Sequence, residues 1–433
     1  MDTSTLYELY LAHPSVQTDS RKLQKGDLFF ALKGPSFDAN TFAMQALEAA
    51  ASFAIIDDPK FQQDERCILV PDVLKALQDL ARHHRNQFQI PFLAITGSNG
   101  KTTTKELVTA VLRQKFKTYA TKGNLNNHIG IPLTILDIHP DAEFAVIEMG
   151  ANHLHEIESY CLIAAPSHGL ITNCGKAHIE GFGSLEGVRK GKGELYDYLR
   201  EHQGMIFRNT DLDYLEEMAK GIEQQICYGT MDADIIGSAG LNGIFLEVKV
   251  EVPEGMAPVT TQLVGAYNFP NAMAAVAIGL HFGVEPEAIR TALAIYQPDN
   301  SRSQWMKRGS NEIILDAYNA NPTSMKAAIE SFAVSNFPHK RLWLGAMKEM
   351  GSSSLEEHAA LVQLAEKTSW DQLILVGDEF NPVKGTHTWF KTATEAALYV
   401  KKDPPEGAAI LIKGSRGSKM ESLLEAVPQS HTD

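Results

Sequence analysis

A glycine-rich segment, ITGSNGKTTTKE at 95–106, contains the residue types that bind nucleotide phosphates. Two closely spaced glycines allow the backbone to turn tightly and to direct its N–H groups inward. The lysine that follows can reach the terminal phosphates, and the next threonine can place its hydroxyl on Mg²⁺. The glycines lie closer together than in the usual phosphate loop, whose first glycine position is held here by Ile95. We predict that these loop residues bind ATP: Gly97, Ser98, Asn99, Gly100, Lys101, Thr102 and Thr103.

The segments on either side of this loop favour the same function. Residues 92–96 (FLAIT) are apolar, as in a buried strand, and residues 102–116 have apolar positions at helical spacing. A phosphate loop requires this strand–loop–helix context. A surface turn before a helix would not need two glycines together with Lys-Thr-Thr-Thr. Nucleotide binding does not by itself define a reaction, because switch GTPases, kinases and ATPases share such loops.

Three further residues carry groups suited to catalysis or metal binding. Glu148 ends the apolar segment FAVIEM, at the carboxyl edge of a strand, where open α/β sheets bind ligands. His178 follows the strand-like GLIT, although a loop histidine is also common as a surface or structural residue. Lys192 lies in a predicted helix at 184–199 that contains three glycines. Each glycine costs about 1 kcal/mol in a helix, so the glycines need a compensating reason, of which a site is one candidate.

Two asparagines open a predicted helix at 268–282. Asn268 and Asn271 are three residues apart and therefore lie on one helix face. Contact with a ligand is one role for this pair, and N-capping is the alternative for Asn268.

A chain of 433 residues is expected to form about three domains, which must position these residues. Strand-like and helical segments alternate along the chain, which predicts an α/β fold with a small N-terminal domain, a central P-loop parallel-sheet ATPase domain and a C-terminal Rossmann-like domain with a doubly wound sheet. The predicted limits are 1–88, 89–296 and 297–433, with a polar hinge at 297–304. Two alternating stretches, 244–250 and 259–264, are predicted as exposed edge strands.

Composition excludes several classes of function. The chain has 39 Lys and Arg against 53 Asp and Glu, a net charge of −14, which excludes a broad nucleic-acid-binding surface. The four cysteines match no metal or redox spacing and indicate buried thiols in a reducing compartment. The N-terminus has no signal-peptide pattern, and no apolar stretch is long enough to cross a bilayer. We therefore expect a cytoplasmic protein without membrane insertion.

Four clusters resemble the Mur ligases: TGSNGKTTTKE, KGNLNNHIGIPLT (122–134), VIEMGANHLHEI (146–157) and ITNCGKAHIEGFGSLEGVRKGKGE (171–194). Segments 18–34, 316–325 and 412–421 extend the resemblance over nearly the whole chain. It implies an ADP-forming ligase of peptidoglycan precursor synthesis, which activates a carboxylate as an acyl phosphate and joins it to an amine. We expect the protein to be a monomer. The motifs N-N-x-I-G and G-A-N-H resemble those of the family member that uses UDP-MurNAc-tripeptide and D-Ala-D-Ala.

The resemblance also implies roles for individual residues. The catalytic residues would be Lys101, His178 and Lys192. Two Mg²⁺ ions would be held by Thr102, Glu148, His178 and Lys192, with Lys192 carbamylated by CO₂ and Lys190 as its rival for that role. The nucleotide would also contact Asn268, Asn271, Arg302 and Asp316. The sugar-peptide and dipeptide substrates would contact Ser20, Arg21, Asn124, Asn126, Asn127, Asn319, Asn321, Lys413, Ser415 and Arg416.

The chain departs from the family pattern in two places. In the motif that is usually L-G-D-M-x-E-L-G, residues 344–351 read LGAMKEMG, with Ala346 in place of the aspartate and Lys348 at the variable position. In the first domain, Asp38-Ala39-Asn40 replaces the usual D-G-H or D-G-N. These departures affect the expected dipeptide and uridine contacts. A sister amino-acid-adding ligase or a folylpolyglutamate synthase is one alternative, although the D-N-P-x-x-R motif of the diaminopimelate-adding sister is not present in the sequence. A nucleotide-gated switch is another, which has no reason to carry the set Glu148, His178 and Lys192.

Overall fold

Three β-sheets of four, nine and six strands follow one another along the chain in the computed structural model, which describes residues 1–251, 255–299 and 301–429. Residue 300 of the predicted hinge and the last four residues of the predicted third domain lie outside the described residues. The strands of the three sheets fall within 16–69, 92–264 and 304–413. Each sheet therefore draws its strands from one of the ranges predicted as domains, whose limits at 88 and 296 stay predictions.

The first sheet is small and parallel, with the order β1-β2-β5-β6. Its strands and the separate β3–β4 pair are β1 Val16–Gln17, β2 Leu28–Phe30, β3 Lys33–Gly34, β4 Phe37–Asp38, β5 Phe53–Ile56 and β6 Cys67–Leu69. The helices of this part are α1 Thr3–Ala12, α2 Ala43–Glu48 and α3 Val73–Arg85.

The second sheet has nine strands in the order β15-β14-β13-β12-β11-β10-β7-β9-β8. The strands are β7 Phe92–Thr96, β8 Thr118–Ala120, β9 Phe144–Glu148, β10 His168–Ile171, β11 Met205–Asn209, β12 Gln224–Gly229, β13 Ile235–Asn242, β14 Phe245–Glu251 and β15 Met256–Val264. The helices are α4 Lys101–Leu112, α5 Gly130–Leu136, α6 Glu156–Ala164, α7 Ile179–Phe182, α8 Leu185–Glu201, α9 Tyr214–Met218, α10 Phe269–His281 and α11 Pro286–Ile295.

Strand directions in this sheet place the candidate residues together and correct one prediction. β9, β7 and β10 are adjacent and parallel, so the segments that follow them meet at one edge of the sheet. β13, β14 and β15 are joined antiparallel. The prediction of two edge strands is wrong for β14, which lies between β13 and β15, because the pairing strand β13 was not recognised in the sequence; β15 is an edge strand.

The third sheet has the order β16-β17-β21-β18-β19-β20, in which only β16 is antiparallel to its neighbour. Its strands are β16 Gln304–Arg308, β17 Asn311–Asp316, β18 Lys340–Gly345, β19 Gln372–Val376, β20 Thr388–Phe390 and β21 Ala409–Lys413. The helices are α12 Pro322–Ala333, α13 Ser354–Ala365 and α14 Ala393–Val400. This crossover topology confirms the predicted doubly wound parallel sheet, with one antiparallel edge strand added. No described helix is both long and apolar enough to cross a membrane.

The first two units share a hydrophobic core across their boundary. Leu77 and Leu80 of α3 belong to the same buried cluster as Ile131 of α5 and Ile157 of α6. Polar contacts cross here as well, since Tyr10 Oη donates to Leu136 O at 2.6 Å. The helix α3 is therefore packed between the first sheet and the central domain.

Candidate active site

The glycine loop joins the central strand β7 to α4 and has the backbone that its sequence predicts. Gly97 and Gly100 both have positive φ, +141° and +80°. A Cβ on Gly97 would lie 2.0 Å from Thr172 Oγ1, and one on Gly100 would lie 2.4 Å from Asn271 Oδ1. Only glycine therefore fits at these two positions, for reasons of both backbone conformation and space.

Neighbouring residues after β10 hold the loop in place. Asn99 N donates to Asn173 Oδ1 at 3.0 Å, and Asn173 Nδ2 donates back to Asn99 O at 3.0 Å. Thr172 Oγ1 donates to the same carbonyl at 2.6 Å. Asn173 was not identified from the sequence, because nothing local in ITNCG distinguishes an asparagine that contacts the loop from one in an ordinary turn.

Lys101 begins α4 and directs its ammonium into the loop. Its Nζ donates to Gly97 O at 2.6 Å and to Ser98 O at 3.3 Å. Desolvation lowers the pKa of Lys101 to about 8, and the charge of Glu148 opposes this shift. The cation thus lies among the backbone groups that would surround a bound phosphate.

Glu148 ends β9 with a carboxylate that is only 1% exposed. Its Oε1 accepts from Thr102 Oγ1 at 3.1 Å and from Asn126 Nδ2 at 2.7 Å. Its Oε2 is buried and has no hydrogen-bond partner among the residues that the structure describes. Buried carboxylate oxygens are normally satisfied, and carboxylate and hydroxyl oxygens are the ligands that Mg²⁺ prefers. Glu148 and Thr102 therefore fit one of the expected cations.

His178 lies at the mouth of the same cavity and contacts the third domain. Its Nδ1 is 2.5 Å from Glu349 Oε2, and this hydrogen bond lowers the pKa of the Glu349 carboxyl. Both residues have positive φ, +53° and +63°. The described residues contain no group of three or more His, Cys, Asp or Glu that could hold a metal. The expected set has only one carboxylate and one imidazole, and depends on a hydroxyl and a modified lysine for the rest.

Lys192 is 1% exposed, whereas its rival Lys190 is exposed on the other side of α8. Lys192 Nζ donates to Ala151 O at 2.8 Å and lies 5.0 Å from the centre of the Phe182 ring. Burial lowers the pKa of Lys192 to about 7, and the nearby charge of Lys101 adds to the shift. A large neutral fraction of this amine is therefore present near neutral pH.

Two of the glycines in α8 have a packing reason. A Cβ on Gly187 would lie 2.0 Å from Phe182 O, and one on Gly191 would lie 2.4 Å from Phe182 Cε1. Glycine at these positions lets Phe182 approach α8 and cover Lys192. The propensity cost is thus offset by the close packing that encloses the lysine. Gly193, with only an ordinary contact near its Cβ position, has no such reason.

Asn268 and Asn271 form a hydrogen-bonded pair beside the glycine loop. Asn271 Nδ2 donates to Asn268 Oδ1 at 2.9 Å, and Asn271 Oδ1 accepts from Thr104 Oγ1 at 3.1 Å. Asn268 Nδ2 donates to Val264 O at 2.9 Å, and its side chain makes no cap hydrogen bond to α10. The N-capping alternative for the Asn268 side chain is therefore wrong.

The third domain contributes charged groups to the opposite wall. The Arg302 guanidinium lies 3.8 Å from the centre of the Tyr318 ring, and its buried Nε finds no acceptor in the described part of the chain. Asp316 Oδ2 pairs with the buried Lys413 Nζ at 2.5 Å. Tyr318 also lines the cavity. It was not predicted as a site residue, because an aromatic side chain in this segment has no chemistry that distinguishes it from a core residue.

One cavity of about 770 Å³ between the central and third domains brings most predicted residues together. Those that line it are Ser98, Asn99, Gly100, Lys101, Thr102, Thr103, Asn124, Asn126, Asn127, Glu148, His178, Asn268, Asn271, Arg302, Asp316, Asn319 and Lys413. The lining also contains Tyr267 and Glu349, which were not predicted as site residues.

Seven predicted residues are not part of this lining. Gly97 faces Thr172 and Asn173 on the far side of the loop, and Lys192 lies behind the lining residue Ala151. Asn321 caps α12 and donates to Asn99 Oδ1 at 2.7 Å. The other four are Ser20 and Arg21 in the first domain, and Ser415 and Arg416 after β21.

The contacts of these four residues lie outside the cavity, so their substrate-binding roles stay predictions. Arg21 is bound to Asp19 at 2.8 Å. Ser415 Oγ accepts from Lys348 N at 2.9 Å, and the Arg416 guanidinium lies 5.5 Å from the centre of the Tyr318 ring.

The two departures from the family pattern are structurally accommodated. Ala346 is fully buried, and a Cβ on Gly377 would lie 2.6 Å from its methyl group. Asn40 is also fully buried and donates from Nδ2 to Asp38 Oδ1 at 2.7 Å and to Asp57 Oδ1 at 2.9 Å. Asn40 thus holds together two segments of the first domain, and no residue at these positions lines the cavity.

Two family models match the chain: the Mur ligase middle domain over residues 95–279, and the Mur ligase, glutamate ligase domain, over residues 301–416. The UDP-N-acetylmuramoyl-tripeptide–D-alanyl-D-alanine ligase of Escherichia coli (strain K12) is 34% identical over 430 residues, covering 96% of this chain and 94% of the relative. The ligase of the same name from Bacillus subtilis (strain 168) is 33% identical over 443 residues, covering 98% and 95%.

Solved structures give the same correspondence. A crystal structure of MurF from Acinetobacter baumannii superposes with a TM-score of 0.86 at 31% identity, covering 96% of this chain and 97% of that one. The MurF ligase from Thermotoga maritima, solved in complex with ADP, has a TM-score of 0.85 at 26% identity, with coverage of 96% and 97%.

Proposed function

The chain belongs to the Mur ligase family, and we propose that it joins D-alanyl-D-alanine to UDP-MurNAc-tripeptide in an ATP-dependent reaction of peptidoglycan precursor synthesis. The observation that carries this function is the single cavity that brings Lys101, Glu148 and His178 together with charged residues of the third domain. Relatives with this activity in their names match over nearly their whole length. A relative solved with ADP supports the nucleotide as a ligand.

The reaction proceeds in two balanced steps. The terminal carboxylate of the tripeptide attacks the γ-phosphorus of ATP, which forms an acyl phosphate and releases ADP. The amine of the dipeptide then attacks the acyl carbon, loses a proton, and expels inorganic phosphate as the amide bond forms. Both steps crowd negative charge, so cations and N–H groups aimed at that charge lower the barrier. The N–H groups of the glycine loop and the Lys101 ammonium provide these contacts on the central-domain side.

Two Mg²⁺ ions would be held by Thr102, Glu148, His178 and Lys192, and would neutralise phosphate charge and polarise the reacting oxygens. The unpartnered Glu148 Oε2 beside the Thr102 hydroxyl supports this assignment for one ion. Asn126 donates to the other Glu148 oxygen and thereby fixes the carboxylate.

The second ion's site depends on a carbamate at Lys192. The neutral amine would attack CO₂, form an N–C bond and lose a proton, so that the side chain then carries a negative charge. Burial supports this step, because it lowers the lysine pKa to about 7 and so raises the neutral fraction. Carbon-13 NMR of the protein in labelled bicarbonate tests it: a carbamate signal is expected in the native protein and in Lys190→Ala, and its persistence in Lys192→Ala would assign it to another amine.

The remaining roles follow the walls of the cavity. Asn268, Asn271, Arg302 and Asp316 are proposed to contact the nucleotide, and a third-domain arginine would couple domain closure to chemistry and exclude water. Sugar-peptide contacts are proposed for Asn124, Asn126 and Asn127, and uridine-diphosphate contacts for Ser20 and Arg21. The incoming dipeptide or acyl phosphate would contact Asn319, Asn321, Lys413, Ser415 and Arg416. We propose that the chain works as a monomer in the cytoplasm.

Two alternatives are less well supported. A folylpolyglutamate synthase from Mycobacterium tuberculosis has a TM-score of 0.62 but only 15% identity, so it shares the fold alone. A nucleotide-gated switch would not require a buried lysine near metal-binding residues or an amine substrate.

Phosphate release from ATP and UDP-MurNAc-tripeptide, measured with and without D-Ala-D-Ala, tests the proposed function. We expect sustained release only with the dipeptide, together with an amide product of matching mass. A single D-alanine or L-lysine as the amine should give no product. Product formation with a single amino acid would favour a sister ligase, and release that ignores the amine would favour a switch.

A further inference from the structure

A strip of the third domain docks on the His178 loop through residues that no assigned role explains. Glu349 reaches across to His178 at 2.5 Å. Two residues further on, a Cβ on Gly351 would lie 3.7 Å from Glu180 Cβ, so the two backbones run close together. Glu357 forms a second ion pair across the boundary, with Lys176 at 2.8 Å. The His178 loop is therefore covered by the third domain along several residues.

Glu349 differs from Glu357 in where it lies. Glu349 and His178 both line the large cavity, whereas neither Glu357 nor Lys176 does. Glu349 and His178 also have positive φ, an uncommon conformation for residues with a Cβ, which persists where surrounding contacts stabilise it. The contact thus joins two backbone segments that are both held in uncommon conformations at the edge of the site.

The chemistry of the Glu349–His178 pair determines which ring nitrogen of His178 carries the hydrogen. A glutamate carboxylate is ionised at neutral pH and can then only accept a hydrogen bond, as Glu349 Oε2 does 2.5 Å from His178 Nδ1. His178 Nδ1 must then carry the hydrogen, which leaves the lone pair on Nε2. Histidines that ligate metals are commonly oriented in this way by a carboxylate on their other nitrogen.

We infer that Glu349 is a positioning residue, which fixes the ring and the tautomer of His178 from the third domain. The expected effect of Glu349 on the ligase rate rests on the proposed function, whereas the expected tautomer of His178 does not depend on it. It follows that the imidazole is in its working state only when the third domain is docked. Domain docking would therefore complete the site on the central-domain side as well as bring in Arg302 and Lys413.

Nitrogen-15 NMR of histidine-labelled, unliganded protein tests the tautomer directly. Spectra would be recorded in alkaline buffer, which favours neutral imidazole rings. The His178 signals are identified by their loss in His178→Asn. We expect the Nδ1–H tautomer in the native protein, in Glu349→Gln and in Glu357→Gln, and a shift toward Nε2–H in Glu349→Ala. A native protein with the Nε2–H tautomer would overturn the inference.

Kinetics separate positioning from simple docking. We expect kcat to fall about 10–100-fold in Glu349→Ala and by a smaller factor in Glu349→Gln, which keeps an acceptor for Nδ1–H. The control Glu357→Gln, which removes the charge of the other ion pair across this boundary, should change kcat by less than about threefold. Equal losses in Glu349→Ala and Glu357→Gln would assign Glu349 to docking alone. If the native protein shows no ligase activity, the proposed function fails while the tautomer result still decides the inference.

Discussion

Asn321 of the third domain donates its side-chain amide to Asn99 Oδ1 in the glycine loop, at 2.7 Å. The same side chain caps α12, where Asn321 Oδ1 accepts from Ser324 N at 3.0 Å and Ser324 Oγ accepts from Asn321 N at 3.1 Å. One residue therefore couples the start of a helix in one domain to the phosphate-binding backbone of another.

Two substitutions at Asn321 should separate these tasks. Asn321→Ala loses the cap, so the melting temperature should fall by a few degrees for a loss of about 1 kcal/mol. Asn321→Ser keeps a capping oxygen and should melt close to the native protein. Both lose the amide donor to Asn99, so both should raise KM for ATP by about fivefold, from one hydrogen bond of about 1 kcal/mol. A native KM in Asn321→Ser would show that the contact does not affect nucleotide binding.

Gly100→Ala should damage nucleotide binding more than stability. The positive φ of +80° and a clash with Asn271 Oδ1 at 2.4 Å both oppose the new methyl group. We expect ATP affinity to fall about 5–150-fold, since strain of this kind is worth about 1–3 kcal/mol. The matched control is Gly26→Ala, where φ is +101° but nothing lies within 4 Å of the Cβ position. Calorimetric binding of a non-hydrolysable ATP analogue should be unchanged in the control.

Glu148→Gln should abolish most activity without lowering thermal stability. The amide keeps an acceptor for Thr102 and Asn126 but removes a buried charge whose second oxygen is unpartnered among the described residues. We expect kcat to fall on the order of 100-fold, with a raised Mg²⁺ requirement. Asn126→Ala, which keeps the charge and loses one donor, should lose much less. Similar losses in both variants would mean that the hydrogen bonds, and not the charge, are what matter.

Lys192 should make the stability of the unliganded protein depend on pH. Its pKa is lowered to about 7 by burial, below the unfolded value of about 10.4. Between these two values the unfolded chain binds the extra proton, so stability increases as pH rises from about 7 toward 10, and the penalty is complete below pH 7. In CO₂-free buffer, the melting temperature of the native protein relative to Lys192→Met should therefore rise between pH 7 and 9. A constant difference would show that the lysine stays charged inside the protein.

The sequence predicted the central site well because its signals are local. The strand 92–96, the glycine loop and α4 are contiguous, and a continuous apolar run next to a phosphate-loop motif leaves few alternatives. The antiparallel hairpins after β12 were harder, since IIGSAGLN has small and polar residues where an amphipathic strand would alternate. Its apolar pattern is too weak to predict β13.

The individual residue pairs that join the domains could not be read from the sequence. His178 and Glu349 are 171 positions apart, and their pairing depends on how two independently built sheets dock. The packing of Phe182 on Gly187 and Gly191 is similar in kind: the glycines were visible as an anomaly, but the ring that requires them was not.

Because α3 packs against both the first sheet and the central domain, it limits how the chain could be truncated or combined with a relative. Its buried face packs on α5 and α6, and His84 and Arg85 near its end bind Ile138 O and Ala164 O of the central domain at 2.8 and 2.7 Å. A truncated chain that begins at residue 89 would leave Ile131 and Ile157 facing water. The substrate-binding end is therefore not an exchangeable module, and a chimera with a relative would need to carry the matching surfaces of α5 and α6 along with it.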